Sequence, residues 1–231
     1  MNNKVMVITG TSRSIGRYLA EYYAKKGLSV IGCSRTNADL GLENYKHFCL
    51  DISDEEQVKK MFSEIRKTCK KIDFLVNNAG IFSMNFALLT PAKTAKEVFE
   101  TNFIGTFLCS REALKLMGKE GHGRIINMST IAVPLCSKGN SIYSASKAAV
   151  EQFSKVLSKE VASEKITVNT IRLSLVDKSG MIEKLNDDVI SNILKEGASR
   201  LNFEDISNAI DILISEKSRM ITGQTLELGG I

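Results

Sequence analysis

The sequence predicts a single-domain α/β fold in which a mainly parallel, seven-stranded sheet lies between two layers of helices. Two observations predict it. Short apolar segments rich in β-branched residues alternate with longer amphipathic segments along all 231 residues, and a glycine-containing loop joins the first pair. Parallel strands need helical crossovers, so this alternation favours a sheet covered on both faces. No internal repeat, low-complexity tract or linker interrupts the pattern, and we assign residues 1–231 to one domain.

Each element is predicted from its own pattern. Strands are placed where short apolar, β-branched runs end in polar or turn residues, in chain order at 4–9, 29–33, 46–50, 72–76, 124–128, 167–172 and 225–228. Helices are placed where apolar residues recur every three or four positions, at 15–26, 54–70, 92–117, 143–163, 181–196 and 203–215. Gly27 ends the first helix, and Asp51, Ser53 and Asp54 offer caps for the second.

Composition argues against several classes of protein. The chain is 43% hydrophobic and 25% charged and has no apolar run of membrane-spanning length, so we expect no membrane segment. It opens without a secretory cleavage pattern, and its five cysteines form no Cys-x-x-Cys pair, so we expect reduced thiols and a cytoplasmic location. His47 and His122 form no ligand cluster, which argues against a metal site and against His-based nucleophilic catalysis.

The net charge of +5 comes from basic residues scattered along the predicted helices. A solvated surface with a slight positive bias is the simpler interpretation, and attraction of an anionic cofactor or an acidic carrier is the sharper one. No motif or aromatic platform points to nucleic acid.

Residues 9–16, Thr-Gly-Thr-Ser-Arg-Ser-Ile-Gly, follow the first strand and open the first helix. In that position backbone N–H groups and the positive helix end can hold a pyrophosphate, although an ordinary βα turn is the alternative. The second strand ends near Arg35, where an acidic residue would bind the ribose hydroxyls of NAD. Arg35 and Arg13 would instead pair with a 2′-phosphate, so we predict NADP(H).

Tyr143 and Lys147 lie four residues apart in a predicted helix, and therefore on one helical face. A free tyrosine is a poor proton donor at neutral pH, and a neighbouring ammonium favours the phenolate and lowers the tyrosine pKa. The pair therefore suits proton exchange with an alcohol or ketone oxygen. Because this spacing recurs by chance on solvated helices, the prediction depends on the rest of the chain.

Taken together, the motifs resemble the short-chain dehydrogenase/reductase family over essentially the whole chain. Their order is the glycine loop, Asp51-Ile52 after the third strand, Asn77-Asn-Ala-Gly80 after the fourth, Asn102, Tyr143 with Lys147, and residues 221–225 before the last strand. The resemblance implies a Rossmann-type three-layer sandwich. By motif layout the chain looks most like the 3-oxoacyl-carrier-protein reductase group.

The resemblance also implies roles for site residues. Tyr143 would protonate a carbonyl oxygen while NADPH supplies hydride, Lys147 would bind the nicotinamide ribose and lower the Tyr143 pKa, and Asn102 would help hold a water that links Lys147 to solvent. Cofactor binding is implied for Gly10, Ser12, Arg13, Ser14, Ile15, Gly16, Arg35, Asp51, Ile52, Asn78, Ala79, Gly80, Tyr143 and Lys147. Regions 92–117 and 143–163 resemble the family's oligomer faces, which implies a homodimer or homotetramer.

Three features depart from the family pattern. Ser14 replaces the middle loop glycine, and its hydroxymethyl group either crowds the site or donates to phosphate. Thr130 stands at the catalytic serine position and keeps a hydroxyl, so we expect it to serve. The Pro-Gly after the sixth strand is Leu-Ser at 173–174, and Lys178 replaces a threonine that meets the nicotinamide. Both changes lie in a predicted substrate lid, 173–197.

The sequence indicates the identity of the substrate less clearly than the reaction type. Apolar residues after the fourth strand are compatible with an acyl or ring pocket or with packing under a loop: Phe82, Met84, Phe86, Leu88 and Leu89. Apolar lid residues at helical spacing are more typical of a buried helix face: Met181, Ile182, Leu185, Val189, Ile190 and Ile193. We predict an NADPH-dependent carbonyl reductase acting on a small-molecule or carrier-linked ketone. The alternatives are a sugar or secondary-metabolite ketoreductase and, in another class, a catalytically weak NADP-binding sensor or scaffold.

Overall fold

A computed structural model describes residues 4–118 and 122–230. Its main strands are β1 (Val5–Thr9), β2 (Ser29–Ser34), β3 (Tyr45–Cys49), β4 (Phe74–Asn77), β5 (Gly123–Thr130), β6 (Ile166–Leu173) and β9 (Thr225–Leu228). They form one sheet in the order β3-β2-β1-β4-β5-β6-β9, and every neighbouring pair is parallel. The predicted α/β fold with a seven-stranded sheet is therefore confirmed.

Helices cover both faces of the sheet. They are α1 (Ser14–Lys25), α2 (Glu55–Thr68), α3 (Ala92–Phe99), α4 (Gly105–Leu114), α5 (Ala132–Leu135), α6 (Ser141–Glu160), α7 (Asp187–Lys195) and α8 (Phe203–Ile214). One apolar core packs α2, α4 and α6 against the sheet, and a second packs α1 and α8 against the other face. Alternate residues of β1 enter the two cores, Val5 and Val7 on one side and Met6 and Ile8 on the other, as a strand buried on both faces requires.

Two predicted helices are interrupted. Region 92–117 contains α3, a π-helical segment at Glu100–Ile104 and α4, so the helix prediction there was too simple. Region 181–196 contains a 3₁₀ turn, Ile182–Lys184, followed by α7. The break before α7 has a local cause, because the Asn186 side chain accepts a hydrogen bond from Val189 N at 2.9 Å and starts a new helix.

A second, smaller sheet joins the two ends of the predicted lid. β7 (Leu175–Val176) pairs in parallel with β8 (Arg200–Leu201), and Arg200 Nη1 lies 2.5 Å from Asp177 Oδ1. The segment between them contains α7, in which no residue is buried. The lid is therefore anchored at its base and packed only lightly above it.

The strand order reverses direction at β1, because β2 and β3 lie on one side of it and β4, β5, β6 and β9 lie on the other. Loops leaving the carboxyl ends of β1 and β4 therefore diverge and open a crevice, which is where open parallel sheets bind ligands. Within residues 4–118 and 122–230, no helix is long and apolar enough to cross a membrane. The same residues contain no group of three or more His, Cys, Asp or Glu side chains placed to hold a metal ion.

Candidate active site

A cavity of about 490 Å³ lies at the carboxyl edge of the sheet. This volume falls within the usual range for small-molecule sites. Almost every predicted site residue lines it: Gly10, Ser12, Arg13, Ser14, Ile15, Gly16, Arg35, Asp51, Ile52, Asn78, Ala79, Gly80, Thr130, Tyr143 and Lys147. Asn102 is the exception. The structure therefore brings residues from five strand ends and one helix to a single site.

The glycine loop after β1 is fixed by the end of β4. The Asn78 side chain donates to Thr9 O at 2.9 Å, and Thr9 Oγ1 accepts from the backbone N–H groups of Asn78 and Ala79 at 3.0 Å. A Cβ on Gly10 would lie 2.9 Å from Ala79 Cα, and one on Gly16 would collide with the Gly10 carbonyl. Both glycines are required by these close backbone approaches, and the close packing leaves the loop facing the cavity.

Helix α1 begins beside this loop without a side-chain cap. Its N-cap residue, Arg13, makes no capping hydrogen bond, and its first turn carries no acidic residue. In contrast, α2 is capped by Asp54. The N–H groups and positive end of α1 thus suit an anionic group such as a pyrophosphate.

Ser14 occupies a backbone conformation that normally favours glycine. Its φ is +52°, in the left-handed region, which costs a non-glycine residue on the order of 1–2 kcal/mol. The departure from the family glycine therefore preserves the shape of the loop and adds backbone strain. The Ser14 side chain also lines the cavity.

Three predicted catalytic side chains meet at the far end of the cavity. Tyr143 is 4% exposed, its ring makes an edge contact with Phe82 at 5.0 Å between centroids, and its hydroxyl lies 3.6 Å from Met181 Sδ. Thr130 lines the cavity beside Tyr143 and is near enough to its hydroxyl to influence the Tyr143 pKa. Lys147 is 4% exposed, and its Nζ donates to Met128 O at 2.9 Å. The tyrosine hydroxyl is thus held beside a second hydroxyl in an apolar environment.

Burial dominates the electrostatics of this group. It raises the pKa of Tyr143 to about 12, and the neighbouring Thr130 side chain acts in the opposite direction. It also lowers the pKa of Lys147 to about 8. The sequence predicted that Lys147 lowers the pKa of Tyr143. The net direction here is upward, because desolvation of the phenolate is the largest influence on this group.

Asn102 lies in the π-helical segment and does not line the cavity. Its side chain accepts from Ile81 N at 2.8 Å and donates to Ile81 O and to Ser146 Oγ, both at 3.0 Å. It therefore joins the loop after β4 to α6. Gly80 lies between the two groups, where a Cβ would approach Asn102 Oδ1 to 3.2 Å and Lys147 Nζ to 3.3 Å. The role proposed for Asn102, to hold a water that links Lys147 to solvent, stays a prediction.

A buried ion pair supports the end of β5, and sequence reasoning missed it. Glu151, one turn beyond Lys147 on α6, accepts from Ser129 Oγ at 2.6 Å and from Arg172 Nη2 at 2.7 Å. Arg172 also contacts Glu227 on β9. Ser129 thus points toward α6 while its neighbour Thr130 faces the cavity, as strand alternation requires. The sequence could have indicated this ion pair, because Glu151 is a charged residue on the same helical face as Lys147.

Most apolar residues of the lid face the cavity, whereas their periodicity favoured a helix face buried in a core. Five of the six apolar residues line the cavity, all except Ile190: Met181, Ile182, Leu185, Val189 and Ile193. Lys178 does not line it, whereas the neighbouring Ser179 does, with a φ of +58° at Lys178 marking the turn between them. A helix that packs over a ligand cavity has the same periodicity as one that packs on a core, so sequence spacing could not separate them.

The apolar segment after β4 divides in two. Phe82 lines the cavity, but Phe86, Leu88 and Leu89 are 58%, 95% and 65% exposed. The pocket interpretation therefore holds for Phe82, whereas these three residues form neither a pocket wall nor packing under a loop in this chain. Met84 is likewise exposed and does not line the cavity.

The other end of the cavity is polar. Ser34, Arg35 and Thr36 line it where β2 ends, and Arg13 lines it from the glycine loop. Asp51 Oδ1 accepts from Ser53 N at 2.9 Å and from Ser53 Oγ at 2.7 Å, which fixes the turn after β3. The exposed guanidiniums at this end supply positive charge for an anionic ligand.

Comparison with known proteins shows likeness in sequence and in structure. A model of the short chain dehydrogenase family matches residues 4–190. The 3-oxoacyl-(acyl-carrier-protein) reductase FabG of Escherichia coli is 34% identical over 235 residues, covering 98% of this chain and 96% of the relative. Its counterpart from Vibrio harveyi is 33% identical over 241 residues, covering 100% and 97%.

Two solved structures share the fold. A short chain dehydrogenase from Leptospira borgpetersenii with bound NAD+ is 26% identical, with a TM-score of 0.90 and coverage of 100% of this chain and 92% of that one. A 4-hydroxyisoleucine dehydrogenase complexed with NADH is 25% identical, with a TM-score of 0.86 and coverage of 98% and 97%. The similarities thus extend over nearly the whole length of both partners in each comparison.

Proposed function

Because this chain belongs to the short-chain dehydrogenase family, and is thus an oxidoreductase that binds a nicotinamide cofactor, we propose that it reduces a ketone to a secondary alcohol with NADPH. One observation carries the proposal: the hydroxyls of Thr130 and Tyr143 and the ammonium of Lys147 converge in the cavity that the glycine loop enters. The named activity of the E. coli relative favours a 3-oxoacyl-carrier-protein substrate.

The chain's own residues would hold the substrate and move a proton. The Tyr143 hydroxyl would donate its proton to the carbonyl oxygen, and Thr130 would donate a second hydrogen bond to the same oxygen. A pKa near 12 keeps Tyr143 protonated at neutral pH, which suits an acid. Lys147 would bind the nicotinamide ribose. The chemistry that a bound nicotinamide supplies is a hydride for the carbonyl carbon.

The site residues fit such a cofactor. The close approach of the Gly10 loop to β4 and the uncapped start of α1 leave backbone N–H groups for the pyrophosphate. Asp51 and Ile52 line the cavity where β3 ends, and they would contact the adenine. Arg13 and Arg35 support a preference for NADP(H), because guanidiniums pair with a 2′-phosphate whereas a carboxylate would repel it.

Residues 173–197 would act as the substrate lid. Their apolar side chains face Tyr143 across the cavity, as the contact between Met181 and the tyrosine hydroxyl shows, and they would exclude water from the ketone. We also propose a cytoplasmic homodimer or homotetramer. The exposure of Ile104 (38%) and Val156 (46%) on the two predicted oligomer faces supports the oligomer. The five free thiols support the cytoplasmic location.

The test is a screen for NADPH oxidation with a 3-oxoacyl thioester, a keto-sugar and a cyclic ketone. Tyr143→Phe removes the proton and keeps the ring that contacts Phe82, so we expect it to lower turnover by about 10²- to 10⁴-fold. A protein that binds NADPH but turns over none of the ketones, with no effect of Tyr143→Phe, would favour the sensor instead. Equal use of NADH and NADPH would refute the cofactor preference.

A further inference from the structure

A polar cluster behind the cavity connects the glycine loop to the end of β2. Its centre is His47 on β3, opposite Gly32 in the sheet. Nδ1 of His47 lies 2.8 Å from Tyr45 Oη and 3.3 Å from Thr11 Oγ1, and these two oxygens lie 3.0 Å apart. Thr11 belongs to the glycine loop and is fully buried. One nitrogen of the ring thus contacts the wall that faces the pyrophosphate.

The other nitrogen contacts the segment that carries Arg35. Nε2 of His47 lies 3.1 Å from Thr36 O and 3.2 Å from Ser34 Oγ, and Ser34 Oγ donates to Thr36 O at 2.7 Å. A carbonyl oxygen only accepts, so Nε2 carries the proton and Nδ1 is an acceptor. The Tyr45 hydroxyl donates to Thr11 Oγ1, which leaves the Thr11 hydroxyl to donate to Nδ1. His47 therefore fixes the chain on both sides of Arg35.

The sheet makes room for this cluster. A Cβ on Gly32 would collide with both Tyr45 Oη and Thr11 Oγ1. A glycine inside a strand normally weakens it, so its position here is explained by the hydrogen bonds that cross over it. Burial lowers the pKa of His47, against a hydrogen bond to Thr36 that raises it, so the ring is neutral at pH 7.

We propose that His47 is a positioning residue that selects the cofactor: it holds residues 34–36 so that Arg35 meets the 2′-phosphate of NADP(H). The inference rests on the proposed NADP(H) preference and deepens it. His47 itself lies outside the cavity wall and acts through the backbone that it holds.

Two variants of His47 separate its two contacts. The side-chain amide of His47→Gln reaches the place of Nε2 and keeps the bond to Thr36, whereas that of His47→Asn reaches only the place of Nδ1 and keeps the Tyr45 side. Binding of adenosine 2′,5′-bisphosphate and of adenosine 5′-phosphate, measured by calorimetry on the full chain, isolates the 2′-phosphate. Thermal unfolding of each variant reports any general loss of structure.

We expect the wild-type protein to bind the bisphosphate at least about tenfold more tightly, since a charge-assisted pair contributes that much. His47→Asn should reduce this ratio about tenfold and leave the affinity for the 5′-phosphate within about threefold. His47→Gln should keep the ratio, and so should Tyr45→Phe, which removes only the Thr11 side.

Different failures are distinguishable. A wild-type protein that prefers neither probe refutes the NADP(H) proposal and this inference with it. A wild-type preference that survives His47→Asn, or that His47→Asn and His47→Gln reduce to the same extent, overturns the inference alone. If His47→Asn does not fold, His47→Leu fills the volume without either nitrogen and repeats the test.

Discussion

At the scale of single residues, we expect Thr130 to decide whether the altered site retains catalytic power. Its hydroxyl accepts from Ala132 N at 3.2 Å, so the branched side chain is held in one orientation beside Tyr143. Thr130→Val keeps the shape and removes the hydroxyl, and we expect turnover of a 3-oxoacyl thioester to fall about 10²-fold.

Thr130→Ser is the matched control, because it keeps the hydroxyl and removes the methyl group. NADPH oxidation by this variant should stay within about threefold of the wild-type rate, since the hydrogen bond of about 1 kcal/mol is retained. Turnover by Thr130→Val at the wild-type rate would remove Thr130 from the mechanism.

The buried charge of Lys147 should lower the free energy of unfolding, although the proposed function needs this residue in the site. Its pKa is about 8 in the folded protein and 10.5 ordinarily, so the unfolded chain binds more protons between these values and the free energy of unfolding rises with pH across that window. Lys147→Met removes the buried charge. We expect it to raise the free energy of unfolding by about 1–3 kcal/mol below pH 8, with the gain shrinking toward pH 10.5.

Urea unfolding at pH 7, 8.5 and 10 measures this gain. Lys155→Met on the same helix is the control, because Lys155 is exposed, and it should show no such pH dependence. A Lys147→Met gain that is equal at all three pH values would mean that packing, and not the charge, causes it.

At the scale of elements, the π-helical segment holds the loop after β4. Asn102 is fully buried and makes three hydrogen bonds, two of them to the backbone of Ile81. Asn102→Ala leaves those backbone groups without a partner, and we expect the free energy of unfolding to fall by about 2–4 kcal/mol. Thr101→Ala next to it is the control and should change stability by less than about 1 kcal/mol.

Denaturant unfolding reports the difference between Asn102→Ala and Thr101→Ala. If Asn102→Ala lowered turnover without lowering stability, its main role would be in proton transfer, as the family resemblance implies. The π-helical turn itself could not be predicted, because it depends on the pairing of Asn102 with Ile81, 21 residues away. The sequence of region 92–117 shows only a continuous amphipathic pattern.

Strands were predicted more accurately than the segments between them. The predicted ends of the seven strands lie within two residues of the observed ones because buried parallel strands are nearly continuous apolar runs. The two-residue strands β7 and β8 were missed, since Leu175–Val176 becomes a strand only by pairing with Arg200–Leu201. A pairing of that range has no local signature.

At the scale of the whole molecule, stability is distributed unevenly between the sheet and the lid. No residue of α7 is buried, whereas α6 buries eight, including Tyr143 and Lys147. We expect backbone amides of α7 to exchange with solvent at least about 10²-fold faster than those of α6, because local opening there exposes little apolar surface.

Hydrogen exchange measured with and without NADPH checks this difference. Bound NADPH should slow exchange in the glycine loop and around residues 34–36, with residues 61–68 of α2, none of which lines the cavity, as the internal control. Equal protection of α7 and α6 in the free protein would show that the lid is part of the cooperative core.

The sequence by itself determined the fold class, the order along the chain of the loops that carry the site, and fifteen of the residues that line the cavity. It could do so because alternation, glycine placement and the Tyr143–Lys147 spacing are local patterns. Only the tertiary structure decided which way the Tyr143 pKa moves, that Asn102 binds Ile81, that lid residues face the cavity and that His47 spans two of its walls. Each of these depends on burial or on contacts between distant segments, and such quantities exist only after the chain has folded.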